Sequence, residues 1–168
     1  MVDGLPVNNF NMKIWKTINK IKYNTLEELI NNLKNKNIKM SPWIEDIFFK
    51  KKNFLFSNLI LPINLTRVKL KELGFDGPTS LKEVYSLANK NKLNLVEPEI
   101  ALLCRELYIE QNTGEWLRFA TPFNSMIDTD SVPHLPKLGK ALGFYFIETY
   151  WSYPDAVFHP HNEFVFKL

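Results

Sequence analysis

Cysteine is almost missing from this chain: Cys104 stands alone among 168 residues. That excludes an internal disulfide and suits a reducing compartment. Long hydrophobic runs are missing as well. The longest, Phe54 to Leu65, is interrupted by Ser57, Asn58, Pro62 and Asn64, well short of the roughly 20 apolar residues a membrane-spanning helix requires. The opening MVDGLPVNNF has neither a basic start nor an apolar core segment, so no secretory signal is expected and a cytoplasmic protein is, with export by a signal-less route left open. Arginine is scarce, at Arg67, Arg105 and Arg118 only. Also absent are serine nucleophile elbows, phosphate loops, dinucleotide glycine patterns and zinc-finger spacings. There is no internal repeat and no low-complexity tract.

What the chain does have is apolar and aromatic weight. Apolar residues make up 45% and aromatics 14%, a globular composition, and the aromatics grow denser towards the C-terminus. Charge is divided. Residues 1–75 carry 13 Lys/Arg against 6 Asp/Glu, and residues 76–168 carry 8 against 12. The basic half admits nucleic-acid binding as one reading. The plainer reading is AT-biased coding, since Lys, Asn and Ile rise together there and a nucleic-acid surface usually includes arginine for bidentate contacts.

Local signals give an order of elements. Lys13–Ile21 suits an edge strand or a loop. Thr25 to Glu28 forms a capping box, followed by Leu26, Leu29, Ile30 and Leu33 at helical spacing. Ser41 and Pro42 open a second helix, expected to turn Trp43, Ile44, Ile47 and Phe48 inward and to end on Lys50–Lys52. Alternation over Asn58–Leu65 predicts a strand that Pro62 pushes to a sheet edge. Asp76-Gly77-Pro78 is a turn or a boundary, giving residues 1–75 as a basic helical prefix with an edge strand, part of the same domain or separate, and 76–168 as the main unit. Ser80 to Glu83 is a second capping box, and Pro98 opens a short helix. Then the pattern changes to sheet: Glu115–Ala120, Leu142–Trp151 and Glu163–Leu168 read as strands, and 121–140, with Pro122, Pro133 and Pro136, as a long loop. The fold class is α+β, with N-terminal helices followed by a mostly antiparallel C-terminal sheet.

Leu73-Gly74-Phe75, Thr79–Tyr85, Glu99, Arg105, Tyr108, Gln111 and Gly114-Glu115-Trp116-Leu117 resemble a family of small bacterial hypothetical proteins of unknown function. The likeness extends from Lys16 to the C-terminus and includes Trp43, Pro154-Asp155 and Phe164–Phe166. The chain departs from the family pattern at Glu97, where proline is usual, at Ala101, where glycine is, and in having His159 and His161. The resemblance implies a self-contained domain and no particular chemistry.

Four constellations carry candidate function. If Leu103–Ile109 pairs with Glu115–Ala120 as a hairpin, Arg105 and Glu115 approach each other beside Glu99, Tyr108, Gln111 and Trp116. An arginine fork, a stacking face and a carboxylate base would then adjoin; a structural ion pair is the alternative, and a helix through Leu103 and Leu107 would scatter the group. His159-Pro160-His161, with His134, Glu163 or Asp155, is a weak metal candidate, and exposed turn histidines are the plainer reading. Asp128-Thr129-Asp130 reads as exposed turn acids, because the glycine and distal glutamate of a calcium loop are absent. Finally, Tyr145, Tyr150, Trp151, Tyr153, Phe158, Phe164 and Phe166 crowd the last quarter, as a sheet covered on both faces or as an interface for a partner. Cys104 lies on an apolar stripe and is expected to be a buried small hydrophobe. The expected function is a non-catalytic binding or regulatory domain recognising another protein through the aromatic C-terminal sheet, with Arg105, Tyr108, Gln111, Trp116, Trp151 and Tyr153 as binding residues. A small hydrolase using Glu99, Arg105 and Glu115 is the alternative. No cofactor, no metal and no membrane contact are expected.

Overall fold

The structure, a computed structural model, describes residues 12–168. The N-caps form as read, but the capping boxes are only half made: Glu28 Oε2 accepts from the Asn24 N–H and Glu83 Oε2 from the Thr79 hydroxyl, not from the N-cap amides. Thr25 Oγ1 accepts from the Glu28 N–H at 3.3 Å to start α1 (Leu26–Asn35). Ser41 Oγ does the same for the Ile44 N–H in α2 (Pro42–Phe49), and Ser80 Oγ for the Glu83 N–H in α3 (Leu81–Lys90). Each satisfies an amide that the first helical turn leaves unpaired. Helix α4 (Pro98–Leu107) has no side-chain cap and begins on proline, whose missing N–H is one of those orphans anyway.

Among the described residues seven strands form one sheet: β1 (Lys16–Ile18), β2 (Lys39–Met40), β3 (Ile63–Lys69), β5 (Trp116–Phe119), β6 (His134–Ala141), β7 (Phe144–Trp151) and β9 (Glu163–Lys167). Their spatial order is β1-β3-β9-β5-β6-β7-β2, antiparallel except where β9 meets β5 and β7 meets β2. A separate antiparallel pair joins β4 (Thr79–Ser80) to β8 (Val157–Phe158). The fold is therefore α+β. Strands from both sides of Asp76 share the main sheet. Alternation along the strands sends Leu65, Leu117, Leu138, Ile147 and Val165 to a core beneath α1, α2 and α4, and Val68, Leu135, Phe164 and Phe166 to a second core against α3.

Some expectations change. The strand read over Asn58–Leu65 starts at Ile63, just past Pro62, and sits inside the sheet between β1 and β9, so Pro62 never has to donate to a ladder. Residues 134–140, read as loop, belong to the long strand β6. Its proline is tolerated because β5 pairs only with Lys137–Gly139, leaving Pro136 with β7 as its sheet neighbour. The strand read from Leu142 begins at Phe144. Leu142 (φ 52°) and Gly143 (φ 78°) instead make the tight turn between β6 and β7, where positive φ at both positions matches the strand twist. Trp43 is not inward: Ile44, Ile47 and Phe48 fill the core while Trp43 remains 51% exposed.

Candidate functional site

The residues grouped around Arg105 go to four separate places, because α4 stays helical to Leu107 and no hairpin joins Leu103–Ile109 to β5. Glu99, in the first turn of α4, pairs with Lys51 at 3.0 Å. Arg105 is buried at the other end of the helix. Its Nη1 donates to Gln111 Oε1 (2.7 Å) and to the Gly139 and Phe146 carbonyls, and its Nη2 to the Tyr108 carbonyl (2.7 Å). The Tyr145 ring stacks on it at 4.7 Å. Burial lowers the Arg105 guanidinium to about 10, so it is charged at neutral pH. Gln111 Nε2 donates in turn to the Leu138 and Glu115 carbonyls. Together Arg105 and Gln111 stitch the end of α4 to β6 and β7.

Glu115 meets Arg67 and not Arg105. Arg67 forks onto Glu163 (Nε 3.0 Å, Nη2 2.6 Å), lies 3.2 Å from Glu115, and donates to the Tyr108 hydroxyl, which donates to Glu115 at 2.7 Å. Burial acts to lower the Arg67 pKa, but the hydrogen bonds and charge of Glu163 outweigh it and leave it raised. This half-buried network is internally matched. Trp116 lies on the opposite face of the sheet, across Gly139. His159 and His161 are exposed, their rings stacked 14° from parallel at 5.9 Å. No group of three metal-ligating side chains occurs among the described residues. Cys104 is fully buried, which pushes its thiol up to about 12.

A different group converges at the far end of β6 and β7. Asp128 is buried, contrary to its reading as an exposed turn acid: Oδ1 accepts from the Asp130 and Val132 N–H groups at 2.8 and 3.0 Å, and Oδ2 meets His134 Nε2 at 2.8 Å. The His134 bond, then the backbone donors, hold its carboxyl below the usual range. His134 Nδ1 meets Thr149 Oγ1 at 2.9 Å. With the ring neutral, Nε2–H donates to Asp128 and Nδ1 accepts from the threonine hydroxyl. Both ring nitrogens are thus occupied, and the imidazole is fixed 5.9 Å from the Trp43 indole.

Beside this ring Trp43, His134, Thr149, Tyr150 and Trp151 line a pocket of about 220 Å³. Trp43 and Trp151 are 51% and 61% exposed, and Tyr153 just beyond is 42% exposed. The pocket lies below the roughly 300–1,000 Å³ of small-molecule sites and suits one large side chain. A wider groove of about 450 Å³ runs between α1 and α2, but its Lys34 and Glu45 pair with each other at 3.2 Å.

No protein-family model, curated protein or solved structure matches this chain. Geometry alone separates the two ends of the molecule: the α4 residues turn their polar groups onto this chain, with Arg105 Nε alone of that side chain's nitrogens left without a partner, whereas the Trp43–Trp151 pocket presents apolar surface to solvent. The sequence reading names Trp151 and Tyr153 as binding residues, turns Trp43 inward, gives His134 only as an accessory to the His159/His161 metal candidate and does not name Thr149. The signal for Trp43 was legible, since Ile44, Ile47 and Phe48 alone complete a helical stripe and leave residue 43 at its shoulder. His134 and Thr149 could be found only once β6 was known to be a strand in register with β7.

Proposed function

We propose that this protein is a non-catalytic recognition module that binds an extended segment of another protein along the outer edge of β7. The observation carrying this reading is the incomplete cover of that edge. Strand β2 pairs with Phe146 and Ile147 alone, and the Ser41 N–H closes onto the Ile147 carbonyl at 3.0 Å. By alternation, the backbone groups of Thr149 and Trp151 point the same way, with no strand of the described residues beside them. An added strand would pair there, while one large apolar side chain enters between Trp43 and Trp151. Exposed tryptophans flanking a small pocket are typical interface anchors.

The lysine-rich first half supports this reading over nucleic-acid binding, because Lys16, Lys22, Lys34, Lys36 and Lys51 each face a carboxylate of this chain. No helix among the described residues is long and apolar enough to cross a membrane. The lone buried Cys104 favours a cytoplasmic setting, and the likeness at Glu99–Trp116 to small bacterial proteins favours a bacterial one.

The test is selection of displayed extended peptides on the wild type. Enriched peptides should share one large apolar residue and weaken by roughly tenfold or more in Trp151→Ala or Trp43→Ala, the loss expected of an interface anchor. No enrichment, or peptides binding these variants as well as wild type, would overturn the reading. The Asp128–His134–Thr149 chain favours a second reading, acyl transfer with Thr149 as nucleophile. A Thr149→Val variant that keeps peptide affinity and shows no loss of any esterase turnover would rule it out.

A further inference from the structure

Trp116, Arg118, Lys137 and Glu148 alternate onto the face of β5, β6 and β7 turned away from α4, belong to neither core, and are half-buried. Arg118 and Lys137 are register partners on adjacent antiparallel strands. Like charges placed directly opposite each other disfavour a sheet, and here Glu148, the register partner of Lys137 on β7, offsets only part of that repulsion. Arg118 Nε is buried without an acceptor, and no carboxylate lies within ion-pairing distance of either cation among the described residues. What surrounds them is aromatic. The guanidinium lies 5.6 Å from the Tyr150 ring, and the Lys137 ammonium 4.7 Å from Trp116 and 5.7 Å from Tyr150. Trp116 is held flat there because residue 139 is glycine; a Cβ would meet the indole Cη2 at 2.5 Å and other ring carbons closer still. Burial depresses both Arg118 and Lys137, and their mutual repulsion depresses Lys137 further.

The geometry points to a binding site for a monoanionic organic carboxylate between Arg118 and Lys137, with the ligand's flat apolar body resting on Trp116. A carboxylate matches the arginine fork and would supply the acceptor that Arg118 lacks. Glu148, Lys137's cross-strand partner on β7, leaves the group with one net positive charge, which favours a monoanion over phosphate or sulfate dianions. The aromatic walls favour an aromatic acid over acetate. This site lies on the opposite sheet face from Thr149 and is independent of the peptide reading.

The experiment is a calorimetric and NMR titration of the full chain with sodium benzoate, acetate and sulfate, at constant ionic strength held with chloride. Saturable benzoate binding, tighter than acetate and sulfate, is expected. Arg118→Met and Lys137→Met should each weaken it by roughly tenfold or more, the loss of one charge-assisted hydrogen bond. Their ligand-free melting temperatures should equal or exceed wild type, since each removes one of two facing cations. Glu148→Gln should tighten binding, a direction no general salt effect produces and one that is readable even if either cation variant folds poorly. Absence of saturable binding, sulfate preferred to benzoate, or a Glu148→Gln variant that binds no tighter would overturn the proposal.

Discussion

Replacing Arg105 by methionine keeps an apolar stem of similar length and removes the guanidinium. Two acceptors then have no donor left: Gln111 Oε1 and the Tyr108 carbonyl, each 2.7 Å from an Arg105 nitrogen, on residues that are 1% and 4% exposed. Stranding a buried acceptor costs about 1–3 kcal/mol. Releasing a buried cation into no cavity returns part of that, so the net loss should be about 2–4 kcal/mol. A domain of ordinary stability, about 5–15 kcal/mol, survives this, which makes the variant measurable. Urea denaturation followed by tryptophan fluorescence reads the shift, with Gln111→Leu and the double variant completing a cycle. The double variant should cost less than the two singles added, because the same hydrogen bond is removed in both. An Arg105→Met variant within about 0.5 kcal/mol of wild type, the usual range for surface substitutions, would refute the structural role assigned to this arginine. So would a fully stable variant that had lost peptide binding.

Gly139→Ala should destabilise by roughly 1–3 kcal/mol through overpacking against Trp116, and adding Trp116→Ala should recover part of the loss in chemical denaturation. Leu142→Asn should stabilise by about 0.5–1 kcal/mol, because asparagine adopts the turn's positive φ more readily than leucine; a lower denaturation midpoint would count against the turn assignment. Glu106 accepts from Tyr23 and Asn32 and pairs with Lys22 and Lys36. Burial acts to raise its pKa, yet these partners leave it below the ordinary 4.5. A carboxylate depressed in the folded state stabilises above its unfolded pKa and ceases to as pH falls through the folded one. The stability gap between wild type and Glu106→Gln should therefore be full at pH 7 and shrink below pH 4.5; a gap constant from pH 7 to 3 would exclude the linkage. Cys104, fully buried with its thiol raised to about 12, should react with a thiol reagent only at the rate of unfolding, measured by a colorimetric thiol assay across urea concentrations.

The helices were legible because their signals are local. Thr25, Ser41 and Ser80 cap within three residues, and the stripes that follow need no knowledge of distant chain. The sheet was legible only in part. Strands β5, β7 and β9 announce themselves by aromatic and β-branched content, whereas β6 reads as loop because Pro133, Pro136 and Gly139 mask a strand stabilised by its neighbours. The site failed for a related reason. Arg105, Glu115 and Trp116 lie close in sequence, but a helix end and strand alternation send them to a backbone cage, an ion-pair network and the opposite sheet face. Partners such as Arg67–Glu163 and Asp128–His134–Thr149 are chosen by register, which no short window contains.

Strand β9 joins β3 on one side to β5 on the other, so among the described residues the two halves of the sheet pair only through residues 163–167. Strand pairing between them therefore waits on β9. On the ribosome β1 and β3 can form a ribbon, and β5, β6 and β7 a meander, each with an inner edge still open. The nascent chain thus carries two unsealed edges until β9 pairs, the state in which strand-pairing errors and chaperone capture are most frequent.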